Sequence, residues 1–403
     1  MSLAKSSSAV ILSLLLCSFS AFAAHKKRSH TTTHKTVVAQ PLQSSPTKEA
    51  ASGCDTTLLM DAASGEILGQ KNIHLSRPPA SMVKMMVAYV VLQKIKDGAI
   101  SLDTKVSVSA TASKIGGSQV YLKEGEGFTV NELLQALLIQ SANDAAYALA
   151  EHIAGTPAGF VEIMNVTAKK LGMNESTFHS PHGLPPGRGQ EPDLASAYDM
   201  SILGRAMITN FPQALQFTSI GEQPFRDGTF IMRNHNKLVN SFPGCDGIKT
   251  GYYTQAGFCL TATAKRNGVR LIAVLMGCAK SKERDALAAQ MLGTGFASYN
   301  SVKVVEKSAA VERSIAVNGG AKNQILPLTA DSLTLLLRDG DEKKLSRELQ
   351  MPKDLTAPLT KGANCGALVL KLNGQEVGRV GLISPEDVPK AGVGQRFMGI
   401  FGG

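Results

Sequence analysis

Cysteine is scarce in this chain, and long apolar runs are absent after its first residues. Six cysteines among 403 residues are too few for a disulfide scaffold. Beyond the N-terminal segment, no stretch of sequence is apolar over the length that a membrane span needs. The composition, 43% apolar and 18% charged, indicates a globular protein with a sizeable core, and the length favours two domains.

Residues 1–23 predict a secretory signal peptide. Lys5 precedes an apolar run from Ala9 to Leu16, and Ala21-Phe22-Ala23 has the small-residue pattern of a cleavage site. Cleavage there would lower the formal charge from +10 to +9 and leave five cysteines, whose pairing stays open. We therefore expect an exported protein in the periplasm or cell envelope.

The rest of the chain divides by composition. Residues 24–53 predict a flexible basic linker, with five basic residues against Glu49. Residues 54–298 mix helix and strand patterns, residues 299–390 carry short strand runs separated by turns, and residues 391–403 form a short tail. Five glycines in that tail disfavour a helix, so contact with the cytoplasmic membrane is left open.

The α+β region has recognisable element boundaries. A hairpin is predicted over residues 56–69, and residues 174–194, rich in Pro and Gly, predict a long loop. Two strand-like runs between Gly244 and Cys278 are joined by a turn near Asn267, and they either bring Cys259 and Cys278 together or bury two separate thiols. Helices are predicted over residues 81–96, 130–140, 143–153, 195–209 and 281–292.

A serine and a lysine three positions apart begin the most apolar predicted helix. Ser81 and Lys84 fall on one helical face, within contact of each other. A hydroxyl is a poor nucleophile unless a base takes its proton, and burial destabilises the ammonium form of a lysine. The apolar surroundings of Lys84 therefore predict a nucleophile with its general base, although two other S-x-x-K strings lie in the predicted signal peptide and linker.

Two further motifs place polar groups where a cleft could form. Ser141 and Asn143 lie at the junction of two predicted helices, where they either face a cleft or cap a helix. Lys249-Thr250-Gly251 lies on a predicted strand, where Gly251 lets a ligand backbone approach; the plain alternative is a surface turn. Each string is weak evidence by itself.

The three motifs together are specific. They occur in the order S-x-x-K, S-x-N and K-T-G, in the contexts found in β-lactamases and penicillin-binding proteins. Through PPASMVKMM, LLIQSANDAA and DGIKTGYYTQAG, the chain resembles low-molecular-mass penicillin-binding proteins that are serine-type D-alanyl-D-alanine carboxypeptidases. The resemblance implies an α+β fold, with a serine β-lactamase/DD-peptidase-like catalytic domain in residues 54–298 and a small all-β domain in residues 299–390.

The resemblance also implies catalytic roles. Ser81 is expected to attack the carbonyl of the penultimate D-alanine of a peptidoglycan stem peptide and form an acyl-enzyme, with Lys84 as general base. Ser141 would pass a proton to the departing D-alanine, and Asn143 would hold the substrate backbone. β-Lactams are expected to acylate the same serine, and no cofactor or metal is expected.

The strand motif is expected to bind substrate. Lys249 and Thr250 would hold the terminal carboxylate beside Gly251, and the backbone N–H groups of Ser81 and Tyr252 would form the oxyanion hole. Many members of the family carry histidine where this chain has Tyr252, so side-chain contacts to substrate are expected to differ.

Four alternatives remain. A DD-endopeptidase or a non-catalytic cell-wall peptide or β-lactam binding protein would keep the same cleft. A class A β-lactamase would need a glutamate for deacylation, and Glu191 lies too far beyond the S-x-N motif. A zinc peptidase would rest on His179 and His182, which Pro181 separates and no third ligand accompanies. Nucleic acid is not an expected partner, because much of the positive charge lies in the linker and peptidoglycan is the simpler anionic neighbour.

Overall fold

The computed structural model describes residues 53–392. The predicted signal peptide, all but the last residue of the predicted linker and most of the predicted tail lie outside the described residues. In the described part, the α-helices are α1 (Lys84–Lys96), α2 (Val130–Leu138), α3 (Asn143–Ala154), α4 (Pro157–Leu171), α5 (Ala197–Asn210), α6 (Ala214–Thr218), α7 (Leu238–Ser241) and α8 (Ser281–Ser298). Short 3₁₀ helices are Ala80–Val83, Ala112–Lys114 and Asp341–Lys344.

A five-stranded antiparallel sheet forms the centre of the first region. Its strand order is β2-β1-β9-β8-β7, which leaves β7 at one edge. Two short hairpins, β3 with β4 and β5 with β6, lie outside this sheet. The strands of the first region are β1 (Thr56–Asp61), β2 (Ile67–Lys71), β3 (Lys105–Ser107), β4 (Gly127–Thr129), β5 (Glu222–Phe225), β6 (Phe230–Arg233), β7 (Cys245–Tyr253), β8 (Gly257–Arg266) and β9 (Val269–Cys278).

The two faces of this sheet are covered by different layers. Successive residues of a strand face opposite sides, so Leu58 of β1 joins a core with α1 to α5 while Leu59 joins a core with α8. The strands β8 and β9 are buried on both sides for most of their length. The sheet is therefore enclosed, and its edge strand β7 is the one that meets the cleft described below.

Helix α1 runs through the first core and is surrounded by apolar side chains. Every residue from Lys84 to Leu92 is buried, as expected from an apolar run without a polar face. The prediction of one helix over residues 81–96 needs a correction, because Ala80–Val83 is a 3₁₀ helix and the α-helix begins at Lys84.

The predicted pair of strands near the end of this region is three strands. The stretch 245–266 contains both β7 and β8, joined at residues 254–256, and the turn at Arg266-Asn267-Gly268 joins β8 to β9. Helix α4 was not predicted, and α8 continues to Ser298 beyond its predicted end. The long loop at residues 174–194 contains only isolated bridges, such as that between Thr177 and Leu194.

A disulfide bond joins Cys54, just before β1, to Cys278 at the end of β9. The alternative that Cys259 and Cys278 pair is therefore wrong: Cys259 is a buried free thiol, as are Cys245 and Cys365. The bond connects residues 224 positions apart, so no local spacing could have revealed it.

Residues 299–390 fold as β-structure around a third core. A four-stranded antiparallel sheet has the order β13-β18-β17-β15, and β12-β11-β16 and β10-β14 form smaller sheets. Leu368, Leu370 and Leu382 are among the buried residues between them. The strands are β10 (Tyr299–Val305), β11 (Ile315–Asn318), β12 (Gln324–Ile325), β13 (Leu328–Thr329), β14 (Leu333–Arg338), β15 (Leu345–Gln350), β16 (Asp354–Thr356), β17 (Asn364–Leu372) and β18 (Gln375–Ile383).

Candidate active site

Ser81 and Lys84 lie side by side at the start of α1. Ala80 has φ +49°, a left-handed conformation that is rare for alanine and turns the chain just before Ser81. Lys84 Nζ donates a hydrogen bond to Ser81 Oγ at 2.9 Å. Burial, followed by the charge of Lys249, lowers the pKa of Lys84 well below its ordinary value of 10.5. A lysine in this position can accept the proton of the neighbouring hydroxyl.

The long loop at residues 174–194 supplies a second contact to Lys84. The backbone oxygen of His182 accepts a hydrogen bond from Lys84 Nζ at 2.6 Å. The next residue, Gly183, has φ +74°, and a Cβ there would lie 2.2 Å from the backbone oxygen of Ala80. Glycine is therefore required where the loop passes the segment that carries Ser81.

The carboxylate of Asp193 holds this loop in place. Asp193 Oδ1 accepts hydrogen bonds from the backbone N–H groups of His179 at 2.6 Å and Ser180 at 2.9 Å, and Oδ2 accepts the Ser180 hydroxyl at 2.7 Å. Burial raises the pKa of Asp193, while these hydrogen bonds oppose the shift. Glu191, the residue that a β-lactamase mechanism would need, is exposed and does not line the cleft.

Ser141 lies between α2 and α3, and Asn143 is the first residue of α3, at the predicted junction of two helices. Ser141 has φ +62°, and the side chain of neither residue caps α3, because the N-cap residue is Ala142. Asn143 Nδ2 donates to the backbone oxygen of Gly116 at 2.7 Å, whereas Asn143 Oδ1 is buried without a hydrogen-bond partner among residues 53–392. An unpaired buried acceptor beside a cleft is suited to an N–H donor of a ligand.

Lys249, Thr250 and Gly251 lie on the edge strand β7. Lys249 is buried and donates from Nζ to the backbone oxygen of Thr250 at 3.0 Å. Burial, then the charge of Arg284, lowers the pKa of Lys249 to about 7. A Cβ on Gly251 would lie 2.3 Å from the backbone oxygen of Pro79, so the glycine lets β7 approach the segment before Ser81. The close approach at Gly251 is thus made by the protein's own backbone.

These residues share one cleft of about 400 Å³. Ser81, Ser141 and Asn143 line it together with residues of β7, whereas Lys84 and Lys249 are buried and do not line it. Its lining residues are Ser81, Gly117, Ser118, Ser141, Asn143, Gly183, Leu184, Pro185, His235, Thr250, Gly251, Tyr252, Tyr253, Phe258, Ser281 and Arg284.

Arg284 and His235 are among the lining residues that the sequence did not predict. Arg284 of α8 is 4% exposed and donates to the backbone oxygen of Cys259 at 3.2 Å and to Asp285 Oδ1 at 2.7 Å. His235 is exposed on the cleft wall; partial desolvation there, followed by the charge of Lys249, lowers its pKa to about 4. Both are single residues outside any recognisable motif, so no spacing signal was available.

The histidines of the loop do not form a metal site. His182 contributes its backbone oxygen to Lys84, and its Nδ1 accepts the backbone N–H of Leu184 at 3.1 Å. Within the described part of the chain, no group of three His, Cys, Asp or Glu side chains is placed to hold a metal ion.

Two family models match the sequence. The model for D-alanyl-D-alanine carboxypeptidases, peptidase S11, matches residues 42–280, and that for the penicillin-binding protein 5 C-terminal domain matches residues 299–390. Both matches place the chain in the class of penicillin-binding proteins. More narrowly, the chain belongs to the S11 family of D-alanyl-D-alanine carboxypeptidases.

Individual relatives agree over most of the chain. D-alanyl-D-alanine carboxypeptidase DacF of Bacillus subtilis strain 168 is 35% identical over 350 residues, covering 86% of this chain and 88% of that protein. Penicillin-binding protein 5 from Haemophilus influenzae superposes with a TM-score of 0.73 at 31% identity, covering 85% of this chain and 100% of that chain. The predicted family and fold are thereby confirmed.

A ligand-bound structure matches part of the chain. Penicillin-binding protein D2 from Listeria monocytogenes in its ampicillin-bound form has a TM-score of 0.57 and 29% identity. The match covers 62% of this chain and 100% of that chain.

Proposed function

We propose that this protein is a serine-type D-alanyl-D-alanine carboxypeptidase that removes the terminal D-alanine from peptidoglycan pentapeptide stems and is acylated by β-lactams. The observation that carries the proposal is the 2.9 Å hydrogen bond between Ser81 Oγ and the fully buried Nζ of Lys84. Membership of the S11 family supplies the substrate class, and the ampicillin-bound Listeria protein supports the inhibitor class.

Acylation begins when neutral Lys84 takes the proton of Ser81 Oγ. The oxygen attacks the carbonyl carbon of the penultimate D-alanine, and the backbone N–H groups of Ser81 and Tyr252 stabilise the oxyanion. The carbon–nitrogen bond then breaks, Ser141 donates its hydroxyl proton to the departing amine of the terminal D-alanine, and Ser141 is reprotonated by Lys84, which becomes neutral again. Because β7 is an edge strand, alternate backbone groups along it are available to a ligand.

Deacylation releases the shortened peptide. A water molecule loses a proton to Lys84 and adds to the ester carbonyl, and Ser81 leaves with its proton restored. The product therefore carries a new terminal carboxylate on what was the penultimate D-alanine, and the enzyme returns to its starting state.

Substrate binding uses the remaining motif residues. The terminal carboxylate is held by Lys249 and the Thr250 hydroxyl beside Gly251, and its charge favours the ammonium form of Lys249, whose pKa burial lowers to about 7. The unpaired Oδ1 of Asn143 accepts an N–H group of the peptide backbone.

Mass spectrometry of a pentapeptide muropeptide incubated with the protein tests this function. The wild type is expected to remove one alanine, Ser81→Ala to remove none, and Ser346→Ala, whose hydroxyl lies on β15, to match the wild type. Cutting of cross-linked dimers without loss from monomers would favour the endopeptidase instead. No change in either substrate would favour a binding-only protein.

The location and the domain boundary are part of the same proposal. Residues 1–23 direct export to the periplasm or cell envelope, and the catalytic and β domains meet at residues 298 and 299, where α8 ends and β10 begins. Within residues 53–392, no helix has the length and hydrophobicity to cross a bilayer. N-terminal sequencing of the protein from the cell envelope should find Ala24 first, and an intact Met1 would contradict cleavage.

A further inference from the structure

We propose that Tyr252 and Phe258 form an aromatic platform that selects the acyl group carried on the amine of the reacting residue. This inference rests on the proposed function and adds a specificity-determining contact to it. Both residues line the cleft, and their rings stack with centroids 4.1 Å apart and 20° between planes. Tyr252 is 55% exposed, so much of its ring is accessible to a ligand.

The strand register places the platform on one side of the reacting bond. Thr250 and Tyr252 lie on the same face of β7, because side chains alternate along a strand, and Phe258 is the cross-strand partner of Tyr252. A peptide with its carboxylate at Lys249 and Thr250 and its reacting carbonyl at the Tyr252 N–H runs antiparallel to β7. The chain upstream of that carbonyl therefore extends towards the β7–β8 turn.

This direction identifies the occupant of the platform. Thr250 and Tyr252 are two residues apart on β7, a distance of about 6.6 Å along the strand. A peptide whose carboxylate lies at Thr250 therefore places the group joined to the amine of the reacting residue beside the Tyr252 ring. In a stem peptide this group is the residue before the two D-alanines, and in a β-lactam it is the acyl side chain. No acidic side chain is among the described residues that line the cleft. A stacked aromatic pair favours flat, apolar or aryl groups.

Two β-lactams that differ only in this group provide the probe. Benzylpenicillin carries a phenylacetyl group on its amine, whereas 6-aminopenicillanic acid carries none. The second-order rate of acylation of the full-length protein is measured with each compound by mass spectrometry. Loss of the ring in Tyr252→Ala should lower the ratio of the benzylpenicillin rate to the 6-aminopenicillanic acid rate by about tenfold.

Further variants distinguish the ring from other effects. Tyr252→Phe keeps the ring and should leave the ratio within about twofold of wild type, whereas Phe258→Ala should lower it in the same direction as Tyr252→Ala. Every Tyr252 variant keeps its backbone N–H, and acylation by 6-aminopenicillanic acid reports that the variant is folded. Tyr121→Ala is the matched control, since Tyr121 is 66% exposed and packs edge-on against Phe230 outside the cleft lining.

The ratio decides between the outcomes. An unchanged ratio in Tyr252→Ala would overturn the platform, and so would an equal fall in Tyr252→Phe, which would assign the effect to the hydroxyl. A fall in Tyr121→Ala would assign it to a general change of the protein and also overturn the platform. Wild-type protein that neither compound acylates would overturn the proposed function itself, and the platform with it.

Discussion

Within the described residues, several charged side chains are buried before residue 299, whereas the buried polar side chains after it are uncharged. In the described residues before it, the buried charged side chains are Asp61, Lys84, Asp144, Asp193, Asp199, Lys249 and Arg284. In residues 299–392, the buried polar side chains are the uncharged Thr329 and Ser384, and pairs such as Lys322 with Glu386 lie at the surface. Burial of a charge costs free energy unless partners compensate for it.

The contacts of the buried charged side chains show where in the fold the free-energy cost of burying charge arises. Lys84 and Lys249 are buried and donate hydrogen bonds to the cleft residues Ser81 and Thr250, respectively. Asp193 holds the loop whose backbone accepts a hydrogen bond from Lys84. Asp144 accepts the backbone N–H of Leu122 at 3.0 Å and so supports the backbone around Leu122. These four buried charges thus accompany the proposed chemistry, whereas Asp61 accepts the Ser64 hydroxyl at the β1–β2 turn and the β region relies on an apolar core.

The largest effect should come from the buried lysine that contacts the proposed nucleophile. Lys84→Ala removes the base and is expected to slow acylation by penicillin about 10²- to 10⁴-fold. Stopped-flow or mass-spectrometric acylation rates measure this. Lys371→Ala, which removes a partly exposed lysine paired with Glu348 in the β region, is the control and should acylate at the wild-type rate. Near-normal acylation in Lys84→Ala would remove it as the base.

The acylation rate at saturating penicillin, where the bound carboxylate keeps Lys249 in its ammonium form, should also depend on pH. The neutral fraction of Lys84 rises about tenfold per pH unit until its pKa is reached, so the rate should rise with pH and level off below 10.5. Because the folded-state pKa is lowered, the unfolded chain binds more protons between the two pKa values, and Lys84 makes the folded state gain stability as pH rises through that window. A rate that falls with pH below this plateau would contradict the assignment.

A smaller loss is expected where β7 passes the segment before Ser81. Gly251→Ala places a Cβ 2.3 Å from the Pro79 backbone oxygen and should lower the free energy of unfolding by about 1–3 kcal/mol. Acylation should slow as well, because the same segment positions Ser81. Urea unfolding measures the first effect. Gly127→Ala, where the added Cβ meets nothing within 4 Å, should cause no loss.

The smallest effect is expected in the β region. Lys322 pairs with Glu386 at 2.5 Å, but the two side chains are 57% and 43% exposed. Lys322→Ala should therefore change the free energy of unfolding by less than about 1 kcal/mol and leave acylation unchanged. A loss of several kcal/mol in urea unfolding would break the comparison between the two regions.

The sequence predicted elements where local signals were strong. Two prolines before an apolar run marked α1, and Asn267-Gly268 marked the turn between β8 and β9. The break between β7 and β8 was not predicted, although Gly257, with φ +70°, directly follows Thr254-Gln255-Ala256. Helix α4 did carry signals, with Thr156 as N-cap, Pro157 at its first turn and Gly172 after its end, and these were overlooked.

The candidate site was predictable only where residues form motifs. Ser81, Lys84 and Lys249 were found from their spacing and order. In the structure Ser81 lines the cleft, Lys84 contacts Ser81, and Lys249 is close enough to Lys84 for its charge to lower the pKa of Lys84. Arg284 and His235 reach the cleft through the packing of α8 and the segment after β6, which depends on contacts between residues far apart in the chain. The left-handed backbone at Ala80 is likewise a property of tertiary packing, since alanine does not favour it.

The disulfide of Cys54 with Cys278 has a consequence for the order of events during biosynthesis. If the chain is exported N-terminus first to an oxidising compartment, as proposed, Cys54 emerges early, followed by Cys245 and Cys259, and its partner comes last of the four. Pairing in order of appearance would join Cys54 to a residue that the folded protein keeps as a buried thiol. The native bond therefore requires either that Cys54 stays reduced until β9 has been delivered or that an early bond is exchanged afterwards.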